Sequence, residues 1–249
     1  MGVRTGADYI RALQDGRQVW HAGRRIADVT THAGFSGTIK TLAGLYDKQH
    51  RPEYRDIMTF DSGGERISYS YLAPKSREDL TRKRRNIEFW AEQTCGQMGR
   101  YPEFVAELVV GLLDWTYLIE KTNPQWAENA RAYHGYVSRN DLCLTHALTD
   151  QYYDRTRRVS EQDDPDLILH IVGETREGPV VRGLRTLATL APISDEVLVY
   201  PNRPREPDEI DYAIAFAIPM NAPGLKIVCR DLYAEHADPE RYPLTARFD

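Results

Sequence analysis

Apolar residues recur along the first half of the chain at the three- and four-residue spacing of helices with one buried face. Phe35, Ile39, Leu42, Leu45 and Tyr46 form one such stripe. Leu80, Ile87, Trp90 and Met98 form a second, and Phe104, Leu108, Leu112, Trp115 and Leu118 a third. Trp126, Ala130, Tyr133 and Val137 form a fourth. Boundary signals agree with these stripes. Thr5 is placed to cap a short helix through Leu13, which stops at Asp15-Gly16. Ser76 with Asp79 approximates a capping box for the second stripe. Pro102 suits the first turn of the third helix, and Asn123-Pro124 restarts the chain into the fourth. A small hairpin is expected where residues 18–20 and 24–26 flank His21-Ala22-Gly23.

After residue 141 the texture changes to short β-branched runs separated by proline and glycine turns. Residues 167–172 and 180–181, around a turn from Gly173 to Gly178, read as a hairpin. Residues 196–200, 212–218 and 225–229 read as strands, and 182–190 as either a short helix or a further strand. No helix or strand signal follows Leu244, so the β region is expected to be incomplete, because an open sheet edge is normally covered. The expected class is α+β. A helical N-terminal domain spans residues 1–141 and a β-rich domain spans 142–249.

Composition narrows the function. The 249 residues are 41% hydrophobic, enough for one large core or two smaller ones. A net charge of −5 argues against nucleic acid, whose phosphates demand a basic surface. The longest apolar run, near Val109 to Leu113, falls far short of the roughly 20 residues of a membrane span. The N-terminus has no secretory apolar segment. Cys95, Cys143 and Cys229 form no CxxC pair, so a reducing, cytoplasmic compartment is expected and each thiol is read as a small buried apolar group.

Motifs exclude more than they assign. Arg82-Lys83-Arg84-Arg85 sits among Glu78, Asp79 and Glu88 and reads as a solvated helix face. Gly63-Gly64 is too short for a phosphate loop, and no GxGxxG, GxxxxGK[ST] or HExxH appears, so no metal site is expected. Two residues carry candidate chemistry. His146 is a lone polar ring in the apolar segment 142–148. It reads either as a hydrogen-bonded core histidine or as a group that orients or deprotonates a substrate hydroxyl. Arg100 reads either as a helix C-terminal cation or as a permanent charge aimed into a crevice. Gly99 and Pro102 would give it a rigid mount, since proline fixes φ and restricts Tyr101.

Five segments, in order, carry a resemblance. They are TGADYIRALQDGRQVWHAGRRIADVTTHAGF (5–35), LYDKQH (45–50), GRYPEF (99–104), NDLCLTHALTD followed by YYDR (140–155) and VVRGLRTLATLAP (180–192). Together they resemble the N-terminal half of the 4-hydroxyphenylacetate 3-hydroxylase family, the oxygenase components of two-component flavin monooxygenases. The resemblance implies a helical domain, then a β-barrel-like middle domain, then a C-terminal helical bundle that is absent from this chain. It implies reduced FAD from a separate flavin reductase, O₂ as co-substrate, and hydroxylation of a phenol beside its hydroxyl group. By resemblance Arg100 and His146 contact the substrate hydroxyl, with Arg100 also near the flavin. Thr189 matches a flavin-contacting threonine, and Gln151, Tyr152 and Arg155 fall in a flavin-contacting loop that usually carries a proline here. Phe104 stands where the family commonly has a substrate-contacting tyrosine, so one hydrogen bond, worth on the order of 1 kcal/mol, is lost. A radical dehydratase branch of the family needs cysteine and histidine cluster ligands, and Cys95 has no cysteine near it in sequence. The missing half implies a second polypeptide that supplies the bundle. The alternatives are a catalytically inactive binding or scaffold protein, or a fragment.

Overall fold

The computed structural model describes residues 2–98, 102–152, 154–164 and 166–249. Its helices are α1 (Gly6–Ala12), α2 (Ala33–Lys48), α3 (Pro52–Met58), α4 (Arg77–Gln93), α5 (Pro102–Thr122), α6 (Pro124–Asn140) and α7 (Pro243–Phe248). Its strands are β1 (Val19–His21), β2 (Arg24–Ile26), β3 (Thr59–Ser62), β4 (Glu65–Ser68), β5 (Leu144–Ala147), β6 (His170–Thr175), β7 (Gly178–Arg182), β8 (Glu196–Val199), β9 (Phe216–Pro219) and β10 (Ile227–Val228). The caps behave as their chemistry dictates. Thr5 and Asp8 close a reciprocal capping box on α1, Ser76 accepts from the Asp79 amide at α4, and Asn123 accepts from the Gln125 amide at α6.

The β-barrel expectation is corrected to a mixed α/β fold. Among the described residues no closed barrel forms. The strands divide into two three-stranded sheets, β10-β1-β2 and β5-β8-β9, and two hairpins, β3-β4 and β6-β7. With strands only two to six residues long, no continuous ladder runs round to close on itself. Residues 182–190 are neither helix nor full strand. Thr186 bridges to Thr149 and Leu184 to Ile168, while Leu187 and Leu190 hold left-handed φ values of 60° and 65°. Gly183 makes that path possible: at φ 124° a Cβ there would fall 2.5 Å from the backbone of Leu169.

The two ends of the chain meet. β1 pairs in parallel with β10, Val19 opposite Ile227. Arg4 stacks on Tyr9 and Tyr46 and forms an ion pair with Asp195, whose carboxylate also accepts the Cys143 amide at 2.6 Å. One buried apolar cluster therefore runs from Tyr9 and Leu42 through Trp90, Cys143 and Val197 to Phe248. After Leu244, where no element was expected, α7 lies on α2. Gly37 allows the approach, since a Cβ there would sit 1.7 Å from the Ala246 carbonyl oxygen.

Helix α5 differs most from the expected pattern. It buries Val105, Ala106, Val109 and Val110 and leaves the predicted stripe outward, with Leu112 38% and Trp115 64% exposed. The helix is apolar on both faces, so periodicity alone does not choose between them. The basic run is also split. Arg82, Arg84 and Arg85 are exposed, but Lys83 is buried. Its ammonium donates to the carbonyls of Tyr69, Ser70 and Leu72 and pairs with Glu107 at 2.9 Å, clipping α4 to α5.

Candidate functional site

Strand β5 lies parallel to β8, with His146 opposite Leu198. Both flanks of the ring are aromatic. His146 is buried, 5.6 Å from the ring of Phe104 and stacked at 6.1 Å on Tyr200. Phe104 comes from the first turn of α5, so the α5 head and the centre of β5 form one apolar corner. Arg100 lies outside the described residues, with Gly99 and Tyr101, while Pro102 opens α5.

Two loops extend this corner. The Thr145 hydroxyl donates to the carbonyl of Thr189 at 2.5 Å. The Thr186 amide donates to Thr149 at 2.9 Å. The segment carrying exposed Thr189 is thus laced to β5 and to the residues just before Gln151 and Tyr152. Gln151 is exposed and Tyr152 half-buried. Arg155 is exposed in the following turn and takes part in none of these contacts. The structure therefore brings together Phe104, His146 and the Thr189 backbone, with Gln151 and Tyr152 on the adjoining loop.

Three clusters were not anticipated from sequence. Asp150 holds Arg185, Arg205 and Tyr152 in a buried cage. Glu103 is buried beside Phe104, with Oε2 finding no partner, and adjoins a cavity of about 10 Å³ lined in part by Tyr46, Ser70, Tyr71 and Asp141. Burial pushes its carboxyl up to about 8, and the nearby Glu107 charge adds to the shift. His21, His32 and Glu235 bring ligand-type atoms within 4.8 Å of one another. However, His32 Nδ1 accepts the Gly34 amide at 3.1 Å as the cap of α2. A metal on this nitrogen would cost α2 its cap. The cysteines split as well. Cys143 is buried, its thiol pushed up to about 12 by burial, Cys229 is half-buried, and Cys95, expected inside, is exposed.

Residues 5–249 match the family model described as 4-hydroxyphenylacetate 3-hydroxylase N terminal. The oxygenase component of 4-hydroxyphenylacetate 3-monooxygenase from Thermus thermophilus is 40% identical over 249 residues, covering 99% of this chain and 50% of the relative. The solved oxygenase component HpaB, complexed with FAD and 4-hydroxyphenylacetate, superposes with a TM-score of 0.92 at 40% identity, over 98% of this chain and 50% of that one. An archaeal 4-hydroxybutyryl-CoA dehydratase from N. maritimus shares the fold at a TM-score of 0.86 and 24% identity, with 99% of this chain and 50% of that chain covered. The chain spans about half the length of the relatives it matches.

Proposed function

Because the chain belongs to the 4-hydroxyphenylacetate 3-hydroxylase N-terminal family, we propose that it is the oxygenase half of a reduced-FAD-dependent phenol hydroxylase, completed by a second, helical polypeptide. The observation that carries this reading is the superposition, over nearly the whole chain, on an oxygenase holding FAD and a phenol. The residues present fit a flavin. The rings of Phe104 and Tyr200 beside His146 offer aromatic surface for a flavin to pack on, and Arg185 and Arg205 offer buried N–H groups with no acceptor. A separate flavin reductase and O₂ belong to the proposal, as does the division of labour between residues 1–141 and 142–249.

When bound, reduced FAD with O₂ supplies the oxygen atom that enters the ring. The chain's own residues act on the phenol. His146 takes or holds the hydroxyl proton, which raises electron density at the neighbouring ring carbon. Arg100 supplies a fixed positive charge toward the phenolate as it forms. Phe104 positions the ring by contact, without the hydrogen bond a tyrosine would add. The apolar corner keeps water from the reacting atoms. The substrate class is a phenol, either free or carrier-bound.

Support for a completing partner comes from α5. Leu108, Leu112, Trp115 and Leu118, at helical spacing along α5, form an apolar face in contact with solvent, and such faces mark interaction sites. The same face favours the second reading, a scaffold that binds a partner without turnover. The test is oxygenation of a phenol panel with reduced FAD and O₂, using the chain with its co-purified partner. Hydroxylated product that requires both polypeptides supports the enzyme. A stable complex that yields no product supports the scaffold.

A further inference from the structure

Asp150 follows β5 by three residues, and its side chain is 0% exposed. One carboxylate oxygen receives Arg185 Nη1. The other receives Arg205 Nη2 at 2.6 Å and the Tyr152 hydroxyl at 3.1 Å. The two arginine side chains are only 5% and 2% exposed. One carboxylate thus faces two guanidiniums, which leaves a surplus positive charge out of water. Burial, and then the charge of Arg205, push the Arg185 guanidinium down to about 10. Arg185 Nε and Nη2, and Arg205 Nε and Nη1, have no acceptor. Charged donors left this way are costly, so the cage is poised for an anion. Nε and Nη2 of Arg185 form the side edge of its guanidinium, the fork that matches two oxygens of a phosphate.

The surroundings favour a ligand that reaches in from the candidate flavin loops. Gln151, Leu187, Thr189 and Arg203 are exposed on the segments that carry the cage. Arg203 lies over the Tyr152 ring at 5.0 Å and adds a third cation at the rim.

We propose that Arg185 and Arg205 form a phosphate-class anion site that takes the diphosphate of the dinucleotide cofactor in competition with Asp150. The anion chemistry stands on the cage itself, and only the identity of the carrier rests on the flavin reading. The two guanidiniums exchange part of their bonding to Asp150 for the incoming oxygens, and no covalent bond changes.

The test is calorimetric titration of the full chain with inorganic pyrophosphate, against sulfate at matched ionic strength. Wild type is expected to bind pyrophosphate, and Arg185→Gln to lose at least tenfold in affinity. Asp150→Asn removes the internal competitor and keeps its shape, so it is expected to bind pyrophosphate at least tenfold more tightly and to regain melting temperature with it. D150N is destabilised under either reading, because two buried guanidiniums lose their carboxylate, but in a merely structural cage pyrophosphate binds no more tightly to it and restores no melting temperature. That outcome, or equal binding by wild type and R185Q, overturns the proposal. For the carrier, FAD is expected to displace pyrophosphate and riboflavin is not. Pyrophosphate binding that FAD fails to displace overturns the cofactor assignment while leaving an anion site, so the two failures are distinct.

Discussion

The Thr145 hydroxyl donates to the backbone carbonyl of Thr189 at 2.5 Å, across 44 residues of chain. It makes the strand carrying His146 and the loop carrying Thr189 one wall. Thr145→Val keeps the β-branched shape and removes the donor. The expected cost is about 1–2 kcal/mol, because the carbonyl loses its partner in a partly buried place. For a chain of this size that is a fall of roughly 2–8 °C in melting temperature. An unchanged melt would show that the two segments are held by other contacts.

Glu103 makes stability depend on pH. Its carboxyl moves from an ordinary value of 4.5 to about 8 in the folded chain. Below 4.5 both folded and unfolded chains hold the proton. Between the two values only the unfolded chain releases it, so stability falls as pH rises, by about 1.4 kcal/mol per unit, and the loss levels off above about 8. Glu103→Gln removes this dependence. The stability difference between E103Q and wild type is expected to grow by on the order of 4 kcal/mol from pH 4.5 to 8, read by denaturant melts. A difference that stays flat across that range refutes the buried-acid description.

His146 is expected to govern turnover. In the completed enzyme, His146→Asn should lower product formation by roughly 10²–10⁴-fold if the ring moves the phenol proton. Its pH–rate profile should also lose one limb. A loss of only a few-fold with an unchanged profile would assign His146 to packing between Phe104 and Tyr200.

The outward face of α5 is expected to serve binding and not folding. Leu112→Glu with Trp115→Glu should leave the stability of the chain within about 0.5 kcal/mol per substitution, since both side chains already meet water. Partner retention should fall at least about tenfold if these side chains anchor the interface. Undiminished retention would move the interface elsewhere.

Local chemistry was legible in the sequence wherever it acts within a few residues. Thr5, Ser76 and Asn123 cap the helices that their side chains announced, and β1 and β2 form the hairpin around His21-Ala22-Gly23. Tertiary placement was not legible. Both faces of α5 are apolar, so packing against α6 and β5 decides which one is buried. The hairpin β3-β4 turns at Gly63-Gly64, which bear on no phosphate loop and whose φ values of 64° and 87° serve a tight turn. Residues 184–190 take their path from bridges to distant strands, with Leu187 and Leu190 in a conformation that leucine propensity does not suggest. At the candidate site, the order of the family segments singled out Phe104, His146 and Thr189. The Asp150 cage stayed hidden because its arginines lie 35 and 55 residues away and no local spacing links them. Its one sequence signal is the closely spaced pair Arg203 and Arg205 in a proline-rich loop, with Arg185 in the segment 180–192.

The most direct measurement is native mass spectrometry of the chain purified from its source, with and without FAD. The expected result is a defined complex with a helical polypeptide, which gains the mass of FAD and loses it when His146 and Arg185 are both substituted. A lone chain of 28.6 kDa that takes up no FAD, alone or beside candidate partners, would contradict the assignment as half of a flavin-dependent hydroxylase.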